Sequence, residues 1–153
     1  MSVQGAAGEA SVKDEGRELR LDLPAAHSAA RMARHLVREF ALREGVPHPE
    51  VESLLLIADE LLSNAVDHGG GESARDEIEL AEPVRMGLLL VLRDDGWVLE
   101  VSDEGGGTAG NGGGDGQGLA GMRERVRLHG GELDAHPVAG RGFVVRARIP
   151  VAA

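Results

Sequence analysis

Hydrophobic positions along the chain follow two periods, and the switches between them lay out its elements. Leu19, Leu21 and Leu23 alternate with charged residues, the pattern of a strand with one buried face, and Pro24 ends it. Helical spacing then runs from Ala29 to Arg43, with Met32, Leu36, Phe40 and Ala41 on one side and Arg31, Arg34, Arg38 and Glu39 largely around the other. Gly45 to Pro49 is a connection, and Pro49 suits the first turn of a second helix, where a missing N–H costs nothing. In that helix Val51, Leu54, Leu55, Ala58, Leu61, Leu62, Ala65 and Val66 form one apolar face, and Gly69-Gly70-Gly71 stops it. Glu72 to Glu82 is acidic and mixed, which predicts a surface loop with one weak strand around Ile78. The run Leu88 to Leu92 inside Val84 to Arg93 predicts a buried strand. Asp95-Gly96 predicts a hairpin turn and Trp97 to Ser102 its partner strand, with Trp97 a packing residue. Leu119 to His129 reads as a third helix, and Glu132 to His136 with Gly142 to Ile149 as paired strands. The layout predicts a two-layer α/β sandwich: a mixed, mostly antiparallel sheet covered on one face by helices. Met1 to Gly16 is small, polar and patternless, which predicts a disordered tail over residues 1–16 ahead of one domain over 17–150.

Candidate chemistry gathers at two places. At roughly 100° per residue, Glu60, Asn64 and His68 fall within about 80° of each other on the polar edge of the second helix, with Asp67 alongside. A carboxylate, a carboxamide and an imidazole suit a metal-bound phosphate, although Glu and Asn are also ordinary on a solvated helix face. His68 could approach a phosphate or cap the helix C-terminus, and the residues leave both readings open. The second place begins where the strand Val98 to Ser102 runs into Asp103-Glu104-Gly105-Gly106-Gly107. The glycine-rich stretch that follows ends at Gly114-Asp115-Gly116-Gln117-Gly118-Leu119 and opens into the third helix. Glycines at such a junction let backbone N–H groups approach an anion, and the helix N-terminus adds partial positive charge, which makes a phosphate cradle. Neither a Gly-Lys-Ser/Thr loop nor the glycine spacing of a dinucleotide fold occurs.

Composition narrows the partners. The net charge of −10 and 2% aromatic content disfavour nucleic acid and a base-stacking platform, and are compatible with a basic protein partner. Without cysteine there is no disulfide framework or thiolate metal site. No apolar run approaches the roughly 20 residues of a membrane span, and the N-terminus lacks a signal core, so the expected location is the cytoplasm.

Glu60 with Asn64, then Asp103-x-Gly105-x-Gly107, then Gly114-x-Gly116-x-Gly118-Leu119 resemble, in order, the signature of the GHKL (Bergerat) ATP-binding fold. Histidine kinases, anti-sigma-factor serine kinases, gyrase-type ATPases, heat-shock chaperones and mismatch-repair ATPases share it. The resemblance covers residues 17 to 150. Leu19 through Gly69 is similar to the anti-sigma-factor kinases, which open with a short strand, a basic amphipathic helix and then the motif helix. Gly118 to Val126 and Gly130-Gly131-Glu132-Leu133 look more like the end of nitrate-sensor-type histidine kinases. The resemblance implies ATP and Mg²⁺ as cofactors. Asn64 would be the metal ligand through its amide oxygen, which suits a hard ion, and Glu60 the catalytic base. Asp103 would accept a hydrogen bond from the exocyclic amine of adenine, with Gly105 and Gly107 beneath the base. Gly114, Gly116, Gly118 and Leu119 would lie at the phosphates, with Asn64, Asp67 and His68 also in the nucleotide-binding set. Arg123 and Arg125 are expected to pair with neighbours on a solvated face. One departure stands out: relatives often carry Thr or Ser after the final Gly-x-Gly, whereas Phe143 follows Gly140-Arg141-Gly142 here and cannot supply that hydroxyl.

The reaction implied is transfer of the γ-phosphoryl of ATP to a serine on an anti-anti-sigma-like partner. A sigma factor would be the second partner, and a homodimer would form through the opening strand and helix. Only about forty residues separate the tail from Glu60 of the motif helix, too few for the two-helix phosphoacceptor hairpin of a histidine kinase, so His35 is expected to be structural or solvated. The alternative is a stand-alone histidine-kinase-like ATP-binding module that binds a protein partner without phosphorylating it.

Overall fold

The computed structural model of the chain describes residues 2–5, 8–67, 84–104, 116–138 and 142–150. Its elements run β1 (Ser2–Gly5), β2 (Gly8–Glu15), β3 (Glu18–Pro24), α1 (His27–Arg43), α2 (His48–Ala65), β4 (Arg85–Arg93), β5 (Gly96–Asp103), α3 (Gly116–Leu128), β6 (Glu132–Val138) and β7 (Gly142–Pro150). The strands form one sheet in the order β1-β2-β3-β4-β5-β7-β6. Every pairing described is antiparallel, which sharpens the expected mostly antiparallel sheet. The two-layer α/β sandwich is the architecture observed.

Alternation sets which face of the sheet is covered. Leu19, Leu21 and Leu23 of β3, Met86, Leu88, Leu90 and Leu92 of β4, Trp97, Leu99 and Val101 of β5, and Val145, Ala147 and Ile149 of β7 are all buried. Residues between them, such as Leu89, Val91 and Val98, are only half-buried. The apolar run Leu88 to Leu92 is therefore a strand with one sealed face rather than one buried on both. The turn joining β4 to β5 is Asp94-Asp95, since Arg93 pairs with Gly96.

The helices pack onto the sealed face. All eight apolar residues expected on the inner side of α2 are buried, and Ile57 joins them. In α1 the buried stripe is Ala29, Ala33, Val37, Phe40 and Ala41. Met32 and Leu36 lie at its partly buried edge, so the helix is turned slightly from the expected orientation. Helix α1 packs on both β3 and α2. Across the two helices Arg34 Nε lies 2.8 Å from Asp59 Oδ2, an exposed pair of the kind that contributes at most about 1 kcal/mol.

The start of the chain departs from expectation. Residues 2–5 and 8–15, read from sequence as disordered tail, form β1 and β2, a hairpin added to the β3 edge with Val12 opposite Leu21. Ladder hydrogen bonds come from the backbone and need no side-chain pattern, which is why composition alone pointed the wrong way. Val12 of β2 is buried in the core.

Candidate functional site

Asp103 is the last residue of β5 and, at 8% exposure, the one buried charged residue among those described. The pleat dictates its direction: it follows Trp97, Leu99 and Val101 on the helix-covered face. Registers place it in a row across the sheet, with Met86 of β4 on one side and Phe143 of β7 on the other. A carboxylate set among apolar neighbours is costly unless it is partnered, and Asp103 makes a polar interaction within the fold. Gly142 locks the row from β7. Its φ is +122°, and a Cβ there would stand 2.0 Å from the carbonyl oxygen of Asp103, so only glycine lets the two backbones approach this closely.

The helix α2 packs on β5 and carries the second group of predicted residues. Glu60 is exposed, and one of its carboxylate oxygens lies 3.6 Å from Arg125 Nη1 of α3. Asn64, one turn later, is half-buried. Beyond Ala65 the helix widens into a π-type turn at Val66 and Asp67. Asp67 is therefore exposed past the regular helix, with its carboxylate 3.9 Å from His27 Nε2 at the start of α1. The uniform polar stripe expected from Glu60 to His68 assumed regular α-helix throughout. His68 itself lies outside the described residues, as do Gly105, Gly107 and Gly114.

The third helix begins at Gly116, so Gly116, Gly118 and Leu119 occupy its first turn. The leading N–H groups of a 13-residue helix have no partner inside it, and no acidic residue in the first turn competes for them. The helix packs on β6 and β7 and touches α2. Arg125 was expected to pair with neighbours on a solvated face. Its partner is Glu60 on the adjacent helix, a contact that no spacing within one segment could have disclosed.

The donor set fits a nucleotide with a hard cation. A carboxylate accepts hydrogen bonds only, which matches an amino group on a planar base. A glycine-started helix offers N–H groups to phosphate, and a carboxamide oxygen suits a cation that takes its remaining ligands from phosphate and water. Among the described residues, no group of three His, Cys, Asp or Glu could hold a metal unaided.

Fold and donor set together define an ATP-binding α/β sandwich. Residues 50–153 match the family model described as histidine kinase-, DNA gyrase B-, and HSP90-like ATPase. The chain belongs to that family, whose members are ATP-dependent kinases and ATPases, and membership implies ATP binding. The fold is similar to the crystal structure of the RsbU and RsbW domains of Rv1364c from Mycobacterium tuberculosis, with a TM-score of 0.60 and 22% identity over 90% of this chain and 34% of that one. It is also similar to the histidine kinase domain of the blue-light activated histidine kinase from Erythrobacter litoralis EL346, with a TM-score of 0.51 and 19% identity over 83% of this chain and 61% of that one. The chain thus spans a third to three-fifths of the structures it resembles. No curated protein matches it significantly. Among the described residues no helix is long and apolar enough to cross a membrane.

Proposed function

We propose that the protein is an ATP-dependent serine kinase of the anti-sigma-factor type, phosphorylating a small anti-anti-sigma-like partner. The observation that carries the reading is the packing of α2, with Glu60 and Asn64 on its polar edge, against the strand that ends in buried Asp103. Likeness in fold to a structure containing an RsbW domain extends over 90% of the chain and supports the choice among family members. Partner switching with a sigma factor and homodimerisation are part of the same reading, but β3 pairs with β2 on one side and β4 on the other, so the opening strand has no free edge to give a dimer.

In this reading Asp103 selects the base and the first turn of α3 receives the phosphates. Asn64 would hold Mg²⁺, which when bound would neutralise charge on the triphosphate. The serine hydroxyl oxygen attacks the γ-phosphorus, the bond from that phosphorus to the β–γ bridging oxygen breaks, and ADP leaves. Glu60 takes the hydroxyl proton, and its half-exposed position leaves it accessible to a partner's serine. Arg125 steadies the carboxylate from the neighbouring helix before the partner arrives.

Transfer from γ-labelled ATP to a serine of candidate anti-anti-sigma-like proteins tests the proposal. The expected result is serine phosphorylation that falls about a hundredfold or more in Glu60→Gln while ATP binding is kept. Nucleotide binding with no transfer to any partner would support the stand-alone module instead. Release of free phosphate alone would indicate an ATPase.

A further inference from the structure

The row through Asp103 can be followed across five strands. Leu23, Met86, Asp103, Phe143 and Pro137 are successive register partners. Directly opposed residues of antiparallel strands project from the same face with Cβ atoms about 4.5–5.5 Å apart, so the row is continuous. Burial falls along it: Leu23 and Met86 are sealed, Asp103 is nearly so, Phe143 is half-buried against the core, and Pro137 is exposed. An open apolar surface next to the carboxylate thus exists on the Phe143 side and not on the Met86 side. The chain has two phenylalanines, one tryptophan and no tyrosine. Phe40 is enclosed in the core at 1% exposure, and Trp97 at 2% lies toward the far end of β5. Phe143 is the aromatic ring placed to meet a planar ligand held by Asp103.

We propose that Phe143 is a base-contacting residue: its ring is the apolar wall of the base pocket and packs against a purine whose exocyclic amine is held by Asp103. The proposal rests on the ATP-site reading above. An edge hydrogen bond fixes the purine in one direction, and contact with the ring fixes it in another. Base recognition in this chain therefore relies on aromatic contact at position 143, and adenosine without phosphates should bind through both groups.

Fluorine NMR of protein labelled with 4-fluorophenylalanine tests this with two resonances, assigned by comparison with Phe143→Leu. On titration with adenosine the Phe143 resonance should shift saturably, and the Phe40 resonance should stay fixed as an internal control for global change. By calorimetry Phe143→Ala should weaken adenosine and ATP by the same factor, about tenfold, and Phe143→Leu by less. A stationary Phe143 resonance while adenosine binds, or both resonances moving together, overturns the proposal. If Asp103→Asn abolishes ATP binding while both Phe143 variants bind as the parent does, the site stands and only the role of Phe143 falls. If Asp103→Asn binds ATP unchanged, or the parent chain binds neither ligand, the site reading falls and this inference with it.

Discussion

The two ends of β5 are built alike and differ in chemistry. At each end a glycine lets a neighbouring backbone approach: Gly142 against the carbonyl oxygen of Asp103, and Gly96 against that of Ile149, where a Cβ would stand 2.2 Å away. At the Asp103 end a buried carboxylate stands beside a half-open aromatic ring. At the Gly96 end a cavity of about 360 Å³ opens among Arg93, Asp95, Glu132 and Arg148, over a tryptophan that is itself sealed in the core. That cavity therefore holds solvated charges of both signs, which bind water well and discriminate little. The other end holds Asp103, a carboxylate at 8% exposure. Open space and a desolvated polar group are separate signals, and selective recognition draws more on the second.

The contrast can be broken by substitution. The largest effect is expected from Asp103→Asn, which replaces an acceptor-only group with an amide that can turn a donor toward the base amine. ATP affinity measured by calorimetry should fall about a hundredfold, in line with loss of a charge-assisted hydrogen bond. An unchanged affinity would remove base recognition from this end of the strand. The glycine pair comes next. Gly142→Ala and Gly96→Ala should each cost about 1–3 kcal/mol of stability in denaturant unfolding, since both place a Cβ against backbone at positive φ. Only Gly142→Ala should also weaken ATP. Equal effects of the two variants on ATP would mean that the ends of the sheet are not functionally distinct. The smallest effect is expected from Arg148→Ala at the cavity, within about 0.5 kcal/mol of the parent in stability and with no change in ATP affinity. A clear loss of ATP affinity there would move the site to the opposite end.

Much of the fold could be read directly because it is a matter of period. The apolar positions 51, 54, 55, 58, 61, 62, 65 and 66 name the buried face of α2, and alternation names the sealed face of β3. The order of the motif residues named the family. Less legible was whatever depends on a partner distant in sequence. The hairpin β1-β2 exists because the β3 edge offers it a ladder, a fact absent from its own residues. The orientation of α1, with Ala29, Ala33, Val37, Phe40 and Ala41 inward and Met32 and Leu36 at the rim, is set by the surfaces it packs on rather than by its own spacing. Likewise α2 widens into a π-type turn at Val66 and Asp67, a change that a constant 100° rotation cannot represent.

Local spacing, acting through hydrogen-bond geometry within single segments, already determined the helices, the strands, their inner faces and the sequential signature of an ATP-binding family. Only the tertiary structure decided which side chains share a row or a gap between helices: Met86 and Phe143 beside Asp103, and Arg125 beside Glu60. Strand register and helix packing minimise the energy of the whole core at once, so such neighbours are set by contacts among residues 17 to 65 positions apart in the chain.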